Sequence, residues 1–228
     1  MSEISRKDSV YIKQKSNSNL NPYINESKFY LVSKRFLDIV GASIGLIILS
    51  LLFLLVGIII KIEDPKGKIF FKQIRVGKDG KEFSMYKFRS MSSDAEERLK
   101  DLMQLNEVSG PMFKIKSDPR ITRIGKIIRA TSIDELPQLY NVVKGDMSLV
   151  GPRPPLPREV DEYTSYDKQR LLIVPGCTGL WQVTGRNSVG FNEMVELDLE
   201  YMKSRNLFYD IKIMLKTVVV MIKKSDAY

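Results

Sequence analysis

A helix-rich α+β domain docked on a membrane is the fold class that this 228-residue sequence predicts. Three observations predict it. Residues 39–60, IVGASIGLIILSLLFLLVGIII, run for 22 positions without an ionisable side chain. Two β-rich runs flank Lys78-Asp79-Gly80, a hairpin signal. Most of the remaining apolar residues recur at helical spacing. The length suits one ordinary domain with an appendage.

The elements follow in chain order. Residues 1–33 are rich in Ser, Asn, Lys and Tyr, have little apolar periodicity, and are expected to form a poorly ordered or peripheral tail. Residues 34–62 carry the membrane element. At about 1.5 Å per residue its apolar run is roughly 33 Å long, close to the ~30 Å of a hydrocarbon core. It lacks the polar stripe of a soluble core helix, and it starts too late and is too long for a cleaved signal peptide. Basic residues flank both ends: Lys28, Lys34 and Arg35 before it, Lys61, Lys66 and Lys68 after it. Positive charge marks the cytoplasmic side. The expected path therefore enters, bends and returns, with Gly41, Gly45, Ser50 and Gly57 as weak points. One straight span with a translocated tail is the alternative.

Residues 63–228 make the third segment, a cytoplasmic domain. Asp64-Pro65-Lys66-Gly67 breaks the chain, and KIFFKQIRVG and KEFSMYKFRSM then form the expected hairpin. Ser93 to Asn106 reads as a helix with Asp94, Glu96 and Glu97 in its first turn. Gly151-Pro152-Arg153-Pro154-Pro155-Leu156-Pro157 must be stiff and extended. Helical patterning returns over 191–203 and 209–224, where the last stretch sets Lys against a broad apolar face that suits a membrane surface or a core. The Gly41/Gly45 spacing is compatible with a homodimer, but one such pair is also ordinary close packing.

Composition narrows the chemistry. The chain has no His, which excludes a Ser-His-Asp or Cys-His nucleophile system and any His-ligated zinc. Its single Cys, Cys177, excludes an intrachain disulfide and a CxxC site. The net charge of +9 suits an anionic partner. Catalysis must rest on carboxylates, hydroxyls, Lys and Arg, with a hard cation as the natural helper. Nucleic acid is not the expected partner: the basic residues are not clustered with stacking aromatics, and the apolar run would serve no purpose there.

Thr131-Ser132-Ile133-Asp134-Glu135-Leu136-Pro137 is the central candidate. Ser132 and Glu135 have capping-box spacing, which predicts a helix starting at Ile133 with Pro137 in or just past its first turn. Acids in a first turn are commonplace because they complement the helix dipole. The functional reading makes Asp134 a nucleophile toward phosphorus and gives Glu135 a divalent cation. Two adjacent acids repel, so cations must be close if both are buried. Arg129, Arg153, Arg186, Lys87 and Arg89 supply them. Singly, each reads as a solvated surface charge. Together, in loops beside Gly and Pro, they suit a polyanionic substrate.

The order of the motifs adds a resemblance. Lys34-Arg35-Phe36-Leu37-Asp38 is followed by Tyr86-Lys87-Phe88-Arg89-Ser90-Met91, then by Thr131 to Leu139, Gly145 to Pro154, Pro175 to Val183 and Gly185-Arg186-Asn187. Together these resemble the bacterial sugar transferases, the monotopic polyprenyl-phosphate phosphoglycosyl transferases, from about Lys34 to the C-terminus. The resemblance implies a membrane enzyme on the cytoplasmic face of the bacterial inner membrane. Its members move a sugar 1-phosphate from a UDP-sugar to undecaprenyl phosphate and release UMP through a covalent aspartyl intermediate. It implies that Asp134 is the nucleophile, that Glu135 and Asp198 attend Mg²⁺, and that Lys87, Arg89, Arg129, Arg153 and Arg186 bind phosphate. It hints at a neutral hexose in capsule or exopolysaccharide synthesis. Many members carry Pro after the mid-membrane Ser, whereas this chain has Ser50-Leu51. A non-catalytic, membrane-tethered adaptor that binds anionic lipid is the competing class.

Overall fold

The computed structural model describes residues 24–95, 97–102, 104, 115, 118–185 and 189–222. The expected tail up to residue 23 and most of the loop after 102 lie outside these residues. The architecture is α+β and helix-rich, with two small two-stranded sheets among the described residues.

Helix α1 (Lys28–Ile48) begins inside the expected tail, and α2 (Ser50–Glu63) follows after a break at Leu49. The two helices are bent by 58°. No proline makes this bend. Its ends stay hydrogen-bonded across the break, Leu49 N–H to the Gly45 carbonyl and Phe53 N–H to the Leu49 carbonyl, both at 2.9 Å. No single described helix is long and apolar enough to cross a membrane, while the bent pair together has the length and composition. Ile44, Ile47, Ile48, Leu51, Leu54 and Ile58 lie exposed along it.

The inner face of α1 explains Gly41 and Gly45. A Cβ at either would stand 3.0 Å from Leu149 or Leu139, so the two glycines admit close packing within this chain. Strands β1 (Phe70–Val76) and β2 (Glu82–Phe88) form the expected antiparallel hairpin, turned at Asp79 and Gly80, which both have positive φ. Beyond a short helix α3 (Leu99–Leu102), the expected Ser93–Asn106 helix is not continuous: residues 93–95 form a turn.

Helices α4 (Arg123–Ala130) and α5 (Gln138–Lys144) flank the Asp134-Glu135 segment. Glu63, at the end of α2, accepts from the N–H groups of Arg123 and Ile124 at 2.7 and 3.0 Å and so caps α4. At the far end of α5, Arg35 donates to the carbonyls of Val142 and Val143 at 2.6 and 2.8 Å, which suits a cation at a helix C-terminus. Asn141, fully buried, pins α5 to the outer edge of β2: its Oδ1 accepts from Tyr86 N–H and its Nδ2 donates to the Ser84 carbonyl. Both ends of the acidic segment are thereby anchored to the α1–α2 pair and the hairpin.

The rest of the chain builds the opposite wall. Strand β3 (Ser148–Val150) runs parallel to β4 (Gly176–Thr178), a pairing that three-residue strands do not announce in sequence. Helices α6 (Pro157–Asp161), α7 (Leu180–Thr184), α8 (Phe191–Ser204) and α9 (Leu207–Ile222) follow. The last two match the expected helices closely. Three apolar clusters hold the whole: Ala42, Met85, Val142 and Met147 join α1, β2 and α5; Val56, Ile60, Phe88 and Ile128 join α2, β2 and α4; the largest, around Val150, Leu199, Tyr201 and Ile213, seats α8 and α9 on β3.

A polar knot ties the first helix to the last. Asp210 on α9 is almost fully buried and accepts from Tyr30 and Lys34 of α1, each at 3.0 Å, and from Tyr201 of α8 at 2.7 Å. Truncating it would take the acceptor from Tyr30 and leave the buried Lys34 ammonium without its counter-charge, while Tyr201 keeps the Val150 carbonyl at 3.2 Å. Asp210→Ala is expected to cost about 3 kcal/mol or more, read as a thermal midpoint lower by about 6–12 °C in detergent.

Candidate active site

The acidic segment does not start a helix by a capping box. Ser132 has left-handed backbone angles (φ 57°, ψ 16°) and makes no side-chain cap. A single 3-10 turn, Ile133–Glu135, follows it, and Pro137 then leads into α5. The physical reason is continuity with α4. Ser132 N–H still donates to the Arg129 carbonyl at 3.1 Å and terminates that helix, so it cannot also open the next one in extended geometry. A left-handed non-glycine costs of order 1 kcal/mol or more and persists only where its surroundings impose it. The result is a sharp turn that presents Asp134 and Glu135 to a cavity of about 830 Å³.

Cations converge on this pair from three elements. Lys87, near the end of β2, donates to Glu135 Oε1 at 2.6 Å, and Arg153 of the proline loop stands 3.6 Å from the same oxygen. Arg129 at the end of α4 lines the same cavity and acts electrostatically on Asp134. Asp134 is only 8 % exposed. Burial pushes its carboxyl up and the neighbouring Glu135 adds to that, while Lys87, Arg129 and Arg153 pull it down; it settles at about 6. For Glu135 burial also pushes up, but Lys87 and Arg153 outweigh it and bring the carboxyl down to about 2. At neutral pH both are ionised, Glu135 firmly and Asp134 by a narrow margin.

Not every sequence candidate joins them in the same way. Arg89 lines the cavity but spends its guanidinium on Asp64, donating to Oδ2 at 2.9 Å and to the backbone carbonyl at 3.0 Å. It lies flat over Gly67, where a Cβ would overlap it, so the glycine is what lets the tether close. Asp198 on α8 is 1 % exposed and pairs with Arg170, with no contact to Glu135. No set of three or more carboxylates or thiols arranged to hold a metal occurs among the described residues. Glu135, half-buried and facing the cavity, suits a cation that arrives with substrate phosphates and keeps most of its water, as Mg²⁺ does. Arg186 lies outside the described residues.

Two cations escaped the sequence reading. Arg75 of β1 is buried, lines the cavity, and acts on Glu135. The signal for it was present: the Asp-Gly turn sets the register Phe71↔Lys87 and Arg75↔Phe83, which puts Arg75 and Lys87 on one face of the hairpin. Arg170 has no such local signal. Cys177 also lines the cavity, but burial pushes its thiol up, so it stays a neutral packed group.

A family model described as bacterial sugar transferase matches residues 29–224. The galactosyl transferase CpsE of Streptococcus agalactiae serotype III is 52 % identical over 205 residues, 88 % of this chain and 45 % of that protein. The undecaprenyl-phosphate galactose phosphotransferase of Salmonella typhimurium is 44 % identical over 199 residues, 86 % of this chain and 41 % of that protein. The exopolysaccharide production protein ExoY of Rhizobium meliloti is 37 % identical over 201 residues, 86 % of this chain and 88 % of its own length. The chain thus spans less than half the length of the first two relatives and most of the third.

The balance of charges at Asp134 is directly measurable. With ¹³C-carboxyl aspartate, a resonance titrating near pH 6 in the wild type should vanish in Asp134→Asn, while that of buried Asp198, also pushed up to about 6, remains. Lys87→Met removes a stabilising positive charge, so the midpoint should move to higher pH. An unchanged midpoint would show that Lys87 does not govern Asp134.

Proposed function

The chain belongs to the bacterial sugar transferase family, and from that premise we propose that it transfers a sugar 1-phosphate from a UDP-sugar to a polyprenyl phosphate, undecaprenyl phosphate first among them. UMP is the other product. A hexose is the proposed sugar, with galactose the first to try, because relatives carrying that name match over 86 % or more of this chain.

One observation carries the reading: a nearly buried Asp134, ionised by a narrow margin, on a strained turn at the wall of a cavity rich in cations. An ordinary first-turn acid would be exposed and would have no need of Lys87, Arg129 and Arg153 around it. In the proposed first step an Asp134 carboxylate oxygen attacks the phosphorus that bears the sugar. The bond from that phosphorus to the UMP oxygen breaks, and UMP leaves as the anion, with the phosphosugar held as an acyl phosphate. In the second step an oxygen of the polyprenyl phosphate attacks the same phosphorus. The Asp134 carboxylate departs unchanged, and the lipid carries a diphosphate-linked sugar.

The side chains have matched roles in this scheme. Lys87 and Arg153 offset the negative charge that accumulates on the phosphoryl oxygens, as fixed donors in a partly dry site do most effectively. Lys87, with Arg129 and Arg153, keeps Asp134 ionised. Glu135 would hold Mg²⁺ jointly with substrate phosphate oxygens, and that ion would supply further neutralisation of the departing UMP. No histidine is needed, since a carboxylate displaces a phosphate anion and no proton has to move.

The proposed location is the cytoplasmic face of the bacterial inner membrane. The bent helix pair, apolar on its outer side and basic at both flanks, supports a re-entrant path that keeps the catalytic domain on one side. Phe208, Leu215 and Val218 of α9 are exposed beside Lys212 and Lys216, a pattern that suits an interfacial helix.

Asp134→Asn tests the reading. With UDP-galactose and undecaprenyl phosphate, UMP release should fall by about 10³ or more, and the acid-quenched wild type, but not the variant, should gain the mass of a phosphohexose on the peptide bearing residue 134. Near wild-type turnover in the variant would overturn the nucleophile. Lack of UMP release with every UDP-sugar, together with salt-sensitive binding to anionic liposomes, would favour the adaptor instead.

A further inference from the structure

We propose that the buried Arg170–Asp198 pair is a positioning device for Arg153, holding the proline loop so that the Arg153 guanidinium stays at Glu135; this rests on the phosphotransfer reading above. The starting point is the loop's own chemistry. Pro152, Pro154 and Pro155 have no N–H, so residues 152–155 offer four carbonyls and a single N–H, that of Arg153. Such a segment can be fixed only by donors brought to its carbonyls.

All four carbonyls have one. Gly176 N–H donates to Pro152 at 2.8 Å, Arg170 Nη2 to Arg153 at 3.2 Å, Arg75 Nη1 to Pro154 at 2.8 Å, and Val76 N–H to Pro155 at 2.9 Å. Two strands and two buried guanidinium groups thus grip consecutive residues. The grip on Arg153 itself comes from Arg170, which reaches it from the turn at 167–172.

Arg170 is in turn held from behind. Asp198 of α8 accepts from the same Nη2, and Nη1 donates to the Tyr163 hydroxyl at 2.9 Å. Arg170 and Asp198 are 3 % and 1 % exposed, and Arg170 Nε and Asp198 Oδ1 have no hydrogen-bond partner among the described residues. That is a poor arrangement for stability alone. A buried ion pair roughly breaks even against apolar side chains of the same volume, and incomplete hydrogen bonding worsens the comparison. What the pair supplies that apolar side chains cannot is a donor of fixed direction at the Arg153 carbonyl. The same geometry gives Asp198 a role through Arg170.

The test replaces the pair as a unit, Arg170→Met with Asp198→Leu, so that no lone charge is left buried. The thermal midpoint should stay within a few degrees of wild type or rise, while kcat for UMP release falls roughly tenfold to a hundredfold. Combined with Arg153→Ala, the replacement should lower kcat no further than Arg153→Ala alone, within about twofold, because it acts through that residue. Multiplying effects, or wild-type kcat in the paired replacement, would overturn the proposal. If the paired replacement does not fold, Arg170→Gln with Asp198→Asn, which also leaves no lone charge and is too short to reach the Arg153 carbonyl, takes its place with the same kinetic expectations. A readout independent of turnover separates this inference from the functional reading: ¹⁵N relaxation at Arg153 Nε should report an ordered guanidinium in the wild type and a mobile one in the replacement. Unchanged order overturns the positioning role even if transfer is as proposed; absence of transfer in the wild type overturns the functional reading and leaves the relaxation result to judge this one.

Discussion

The site depends on how two adjacent carboxylates share one cluster of cations. Burial works against the charge of both. Glu135 takes the nearest positive groups, Lys87 at 2.6 Å and Arg153 at 3.6 Å, and its carboxyl falls to about 2. Asp134 receives the same cations at one remove, has a charged neighbour in Glu135, and rises to about 6. The asymmetry divides the labour: one acid permanently charged and bound to its cations, the other only just charged and poorly compensated. In the proposed transfer a weakly compensated carboxylate is the better nucleophile, since less stabilisation would be lost as its charge passed to phosphorus.

Everything around the pair serves to keep that asymmetry. The turn at Ser132 is held from both sides: α4 is capped by Glu63 of α2, and α5 is seized by Arg35 at one end and Asn141 in the middle. The hairpin contributes Lys87 and Arg75 on one face at a register fixed by its turn. The proline loop brings Arg153 with little conformational freedom left to lose. These elements are far apart in sequence, so the cavity is a product of the tertiary fold and no segment contains it alone.

That separation explains what the sequence disclosed. The bent apolar helix pair, the hairpin and the last two helices were legible because each is specified by a local pattern: an uncharged run, an Asp-Gly turn, or helical spacing of apolar residues. Asp134, Glu135, Lys87, Arg129 and Arg153 stood out as residue types in suggestive places, and the fold brings these five to one cavity. Ser132 misled, since capping-box spacing describes an isolated helix start and takes no account of the helix ending just before it. The three-residue parallel strands and the partners of Arg170 and Asp198 were illegible for a different reason. Their contacts span from 28 residues between Asp198 and Arg170 to 17 between Arg170 and Arg153, and no local pattern encodes such distances.

The pH behaviour of the two acids shows what the arrangement costs. Glu135 titrates lower in the folded chain than its ordinary value of 4.5, so its contribution to stability is present above that value and is lost as pH falls toward 2. Asp134 titrates higher than its ordinary 3.8, so the folded chain holds its proton more tightly than the unfolded one does. Its contribution is present below 3.8 and disappears as pH rises through 6. At neutral pH the two effects oppose each other, and the ionised Asp134 is a standing cost to the fold. A residue placed for stability would have been resolved the other way, by full pairing or by a neutral side chain. That it is kept charged, buried and incompletely paired on a left-handed turn is the mark of a group whose favourable partner is not part of the protein. In the proposed transfer, the phosphorus centre that would accept its lone pair is that partner.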